Sequence, residues 1–123
     1  MSCEIIRESQ CIWCRYFDVV SKDEIDTISG VIRTDPSFRS IRYVIADFTA
    51  ITCWKITAYE ALILAYHDHS AYSKNSSLKI ALVSTMDDVL SILNSYAKSP
   101  LMTFDVKVFT SMSAARGWLA AYP

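Results

Sequence analysis

Along this chain, runs rich in β-branched and aromatic residues alternate with segments that open on a helix-capping sequence. That alternation restricts the fold more than any other feature, because strands separated by helices must form a largely parallel, helix-covered sheet. Residues 3–8 and 11–20 are β-type runs joined at Ser9-Gln10, which predicts an antiparallel pair. Ser21-Lys22-Asp23-Glu24 has the form of a capping box, in which the serine hydroxyl accepts from an amide three residues on and the glutamate reaches back. Behind it, Ile25, Ile28, Val31 and Ile32 recur on one helical face, and Pro36 stops the helix. Residues 41–48 are almost continuously apolar and read as a buried central strand.

The same logic runs to the end. Thr57-Ala58-Tyr59-Glu60 is a second capping box, opening a helix to about Ala71, and the polar residues 73–77 form a loop. Residues 78–83 are another buried strand. Thr85-Met86-Asp87-Asp88 caps a helix carrying Val89, Leu90, Ile92, Leu93 and Tyr96. Residues 104–109 form the last strand, and Ser111 caps a final helix with Ala114, Ala115, Trp118 and Leu119 inward. The expected fold is α/β: a mixed sheet of about five strands with four helices in the order β-β-α-β-α-β-α-β-α, its crossovers right-handed and its first pair antiparallel.

Composition agrees with one core. A chain of 123 residues, 52% apolar and 20% charged, suits a single domain over 1–123, and two glycines and three prolines leave little for linkers. A net charge of −1 gives no electrostatic footprint for nucleic acid. Glu4, Arg7 and Glu8 interrupt any signal-peptide core, and no apolar run approaches the roughly 20 residues that span a bilayer. The expectation is a cytoplasmic protein.

Motifs for chemistry are sparse. Cys11-Ile12-Trp13-Cys14 has redox spacing, but on a strand positions i and i+3 point to opposite faces, and Cys3 and Cys53 do not complete a zinc pattern, so free structural thiols are expected. His67 and His69 on a helix lie about 200° apart and cannot share an ion; they read as solvated helix-end histidines. Gly30 and Gly117 fall within helices, so there is no phosphate-cradling loop. Asp23, Asp26, Asp87 and Asp88 sit in first helical turns, where the dipole accounts for them. No metal and no cofactor is expected. In open α/β sheets ligands meet strand ends, which here means Asp47 with residues 48–57, Ser84 with Thr85, and Thr110 with Ser111. A phosphoacceptor receiver would need an acidic pair for Mg²⁺, which is lacking, and Lys107 lies mid-strand.

Two features stand out as binding candidates. Residues 49–56 place Ile51, Trp54 and Ile56 in a connector longer than a strand-to-helix turn needs. The helix that follows is apolar all round at residues 61–66, where a surface helix would show a polar face. Asp47, Phe48, Ile51, Trp54, Ile56, Thr57, Tyr59, Leu62, Ile63 and Tyr66 are therefore the candidates for an interaction or ligand-binding site.

The element order and the stretch from Tyr43 to Leu62 resemble the STAS domain, the sulfate-transporter and anti-sigma-factor-antagonist fold, and residues 79–83 with Val108, Phe109, Ala115, Trp118 and Leu119 are similar to its SpoIIAA-like branch. In that family a central strand ends in aspartate, matched by Asp47, and an Asp-Ser-Ser-Gly turn opens the next helix. Here that turn falls on Lys55-Ile56-Thr57-Ala58, with Ile56 in the place of the phosphorylated serine and Lys55 in that of the preceding aspartate. The resemblance implies a non-enzymatic regulatory or protein-interaction module lacking the phosphoacceptor serine, with a protein partner or a second copy of itself as homo-oligomer. A carrier of a small apolar ligand in a pocket beside the helix at residues 58–71 is the second reading. An enzyme using Asp47 with Lys55 or Ser84 is the third.

Overall fold

The structure, a computed structural model, describes residues 2–72, 75, 77–100 and 104–121. Five strands and four α-helices follow the expected order: β1 (Cys3–Glu8), β2 (Cys11–Val20), α1 (Lys22–Arg33), β3 (Tyr43–Trp54), α2 (Ala58–Ala71), β4 (Lys79–Val83), α3 (Asp87–Ala97), β5 (Asp105–Phe109) and α4 (Met112–Ala120), with a short 3-10 turn at Phe38–Ser40. The strands lie side by side in sequence order; β1 is antiparallel to β2 and the rest are parallel.

Sequential parallel strands joined by right-handed crossovers must carry every crossover helix on the same face. Accordingly α1, α2 and α3 cover one face, where Ile28, Ile32, Leu64, Ala65, Val89 and Leu93 pack on Ile12, Cys14, Val44, Ile80 and Leu82. On the other face α4 sets Ala115 and Leu119 against Cys11, Ile45, Ala81 and Val83. The two-residue alternation of β4 shows the division plainly, Ile80 and Leu82 facing one way and Ala81 and Val83 the other. It also separates the C-x-x-C pair: Cys11 joins the α4 side and Cys14 the three-helix side. All four cysteines are free.

Several local expectations change. Residues 49–54 are not a connector but the second half of β3, paired with β2 through Val20 and Trp54. Asp47 therefore lies within a strand, although β4 leaves β3 at that residue and only β2 accompanies the rest. The register slips between Arg15 and Phe17 and again between Asp18, which takes φ 57°, and Val19. This pairing joins segments about thirty residues apart, so no local signal reports it. Ser21 accepts from the Glu24 amide at 3.5 Å, but Glu24 Oε1 is buried without a partner, so that capping box is only half made. Thr85 does not cap α3: Met86 holds the N-cap position, and the Ser84 hydroxyl accepts the Met86 amide at 3.2 Å. Val31 and Ala114 are exposed, because each sits at the margin of its helix's buried stripe. Of the loop expected over 73–77, residues 73, 74 and 76 lie outside the described residues. No helix is long and apolar enough to cross a membrane among the described residues.

Candidate functional site

The helix α2 starts where the sequence placed it. The Thr57 hydroxyl accepts the Glu60 amide at 3.1 Å, and Glu60 Oε1 accepts the Thr57 amide at 3.1 Å and its hydroxyl at 3.3 Å. Both roles of that hydroxyl are thus in use at the turn the STAS resemblance singles out. Ile56 is buried, and its carbonyl accepts the Trp54 indole N–H at 2.8 Å.

The candidate residues divide into groups with different surroundings. Phe48, Ile51 and Ile56 are core, with Phe48 stacked on Tyr16 at 4.8 Å and met edge-on by a half-buried Trp54 at 5.1 Å. The extension of β3 turns these side chains onto the three-helix face, so they are not an exposed loop. Tyr59, Leu62 and Tyr66, spaced three and four apart, line the outer face of α2 with exposures of 72%, 43% and 59%. Ile63 is half-buried beside them.

Asp47 is 2% exposed and fully engaged. Its Oδ2 accepts the Trp13 indole N–H at 3.1 Å, and its Oδ1 accepts the Thr49 amide at 2.9 Å and hydroxyl at 2.7 Å. This is an aspartate holding its own strand to β2, as Asx-type contacts do in turns. Lys55 is exposed, and the buried Ser84 hydroxyl accepts the Met86 amide at the start of α3, while Asp47 is held by Trp13 and Thr49.

What the sequence reading passed over lies on the inner face of α2. Asp68 is the middle residue of the His-Asp-His run, yet it follows Ala61, Leu64 and Ala65 on the buried stripe at i+7, i+4 and i+3. That spacing was the available signal: a carboxylate on an apolar stripe needs an explanation. Ser29 of α1 donates to Asp68 Oδ1 at 3.1 Å and Tyr96 of α3 donates to Oδ2 at 2.5 Å. Burial pushes the Asp68 carboxyl up to about 6, against the opposing pull of the Tyr96 and Ser29 hydroxyls. Beside it is an apolar cavity of about 70 Å³ between the sheet and the three helices, reached by Tyr16, Phe48, Leu64, Leu82 and Leu93.

The histidines part company. His67 is exposed, with Nδ1 3.2 Å from Asp26, which Lys22 also pairs at 2.7 Å; His69 is half-buried against the Phe104 ring. A second unforeseen pair is Cys3 with Cys14, diagonal neighbours across β1 and β2. A hydrogen bond from the Cys14 thiol holds Cys3 below the ordinary thiol range and, with burial, pushes Cys14 well above it. Burial, with the Glu8 charge adding to it and Arg116 opposing, takes Cys11 up to about 11. Among the described residues no group of three or more His, Cys, Asp or Glu is placed to hold a metal ion.

Comparison with protein-family models, with curated proteins and with solved structures returns no match for this chain.

Proposed function

We propose that this chain is a non-enzymatic, STAS-like interaction module that lacks the phosphoacceptor serine and acts through the outer face of α2, on a second copy of itself. The observation that carries the reading is the exposed row Tyr59, Leu62 and Tyr66, three large side chains on one helical face. Glu60 is the charged residue nearest this row on the first turn, and it is occupied by the capping box. Two copies related by a two-fold axis would bring the same rows together. The element order supports the STAS-like part, and Ile56 at the acceptor position supports a module not switched at that turn.

The carrier reading has the cavity beneath α2 in its favour. At about 70 Å³ that cavity is far below the roughly 300–1,000 Å³ of a pocket for a drug-sized ligand, and so the interaction reading is preferred. Light scattering over a concentration series tests it: association is expected for the native chain and loss of association for Leu62→Asp, with the variant still folded by circular dichroism. A strict monomer at several hundred micromolar overturns self-association.

A further inference from the structure

We propose that the cavity beneath α2 is a binding site for a small primary ammonium ion bearing a short alkyl tail, with Asp68 as its counter-ion. This rests on the inner face of α2 and is independent of the interaction proposed for the outer face.

The argument starts from charge. Asp68 is 5% exposed, and both of its hydrogen-bond partners, Ser29 and Tyr96, are neutral hydroxyls. A buried carboxylate ordinarily has a cation beside it, since hydroxyls compensate only part of its lost hydration. Among the described residues, the basic side chain whose charge acts on it is His67, which pairs with Asp26 at 3.2 Å. Asp26 itself is a like charge, which adds to the negative potential at the site. The carboxylate has about four lone-pair positions, of which the two hydroxyls use one on each oxygen. The remaining positions suit a donor with several N–H groups.

The walls then select among cations. The cavity lining is apolar apart from Asp68 and a few hydroxyls, so it cannot supply the six or more oxygen ligands of a hard divalent ion. An ammonium needs only the carboxylate, and an alkyl tail takes the place of water against Leu64, Leu82 and Leu93. Size limits that tail. A volume of 70 Å³ is about two to three water-sized groups at roughly 30 Å³ each, which, counting the nitrogen, matches methyl- or ethylammonium. Ser29, Ile25 and Ile92 are lining residues that remain half-buried, and they mark the route from solvent between the helices.

Binding requires Asp68 ionised. The groups facing it are Asp26 and Ser29 from α1, His67 and Tyr72 at its own helix, Tyr96 from α3 and Tyr16 from β2. The three tyrosines are held protonated by burial and the Cys14 thiol is raised too, so of the groups lining the cavity Asp68 is the one that changes charge from pH 5 to 8, His67 lying outside the lining. Asp26, kept ionised by Lys22 and His67, contributes a constant charge over that range.

The test is an NMR titration of the full chain with ethylammonium chloride at matched ionic strength, with ethanol and sodium chloride as controls. Saturable shifts at millimolar ligand are expected at pH 7.5, with contacts from the ethyl methyl to Leu64 and Leu93 methyls. Affinity should fall at least tenfold at pH 5, and at least tenfold in Asp68→Asn at pH 7.5. Equal binding of ethanol, unchanged affinity in Asp68→Asn, or non-saturating shifts would overturn the assignment. Should Asp68→Asn not fold, the pH dependence and the methyl contacts in the native chain decide alone. Leu62→Asp should bind ethylammonium as the native chain does, which separates this site from the outer face.

Discussion

The carboxylate of Asp68 and the hydroxyl of Tyr96 meet at 2.5 Å across the seam between α2 and α3, while the same carboxylate takes Ser29 from α1. One side chain on the middle helix thus ties together all three helices that cover this face of the sheet. The tie has a pH signature. Because the folded-state value is raised from 3.8 to about 6, the folded chain binds the proton more tightly than the unfolded one. The resulting stability is fully present below pH 3.8 and is lost as pH rises through 6. A shift of this size corresponds to about 3 kcal/mol. Urea unfolding at pH 4, 5, 6 and 7 should show the native chain losing that much relative to Asp68→Asn, and parallel curves would contradict it. Asp26 acts in the opposite sense: burial raises it, but Lys22 and His67 outweigh burial and lower it, so its contribution disappears only at more acidic pH.

Removing the carboxylate of Asp47 should be expensive. Asp47→Ala strands the Trp13 indole N–H and the Thr49 amide and hydroxyl in a buried setting. The expected loss is about 2–4 kcal/mol, against about 1 kcal/mol for Trp13→Phe at the hydrogen bond itself. Chemical denaturation of both variants gives the comparison.

The start of α2 offers a local test. Thr57→Ala removes the reciprocal bonds with Glu60 and should cost about 1 kcal/mol, whereas Thr57→Ser should retain nearly all of it. Thermal midpoints of the two variants distinguish a working cap from an idle one.

Cysteine chemistry should single out Cys3. It is half-buried and held low by the Cys14 thiol, while Cys14 and Cys11 are buried and raised. Thiolate is the reacting form. Timed alkylation at pH 8 followed by peptide mass analysis should modify Cys3 before Cys11 and Cys14. In Cys14→Ala, which removes the donor, Cys3 should react more slowly.

Much of this architecture was readable along the chain. The hairpin at Ser9-Gln10, the cap at Thr57 with Glu60, and the cap at Ser111 are all contacts between near neighbours, and each stands where the residue pattern put it. The failures share a cause. Thr85 has the right residue type, yet Ser84, set at the end of β4, reaches the Met86 amide instead. Residues 49–54 looked like a connector because their strand partner, the end of β2, lies some thirty residues away. His67 and His69 looked alike, but one meets Asp26 of α1 and the other meets Phe104.

The α/β class, the order of elements and the separation of Cys11 from Cys14 follow from residue pattern, since propensity, capping and strand alternation act within a few residues. That Phe48, Ile51 and Ile56 are core, that Tyr59, Leu62 and Tyr66 are left outside, and that Asp68 is enclosed with Ser29 and Tyr96 follow from packing. Those outcomes depend on which segments meet in space. For a helix apolar on every side, like α2, the side that is buried is chosen by its neighbours α1 and α3 and by the sheet beneath it.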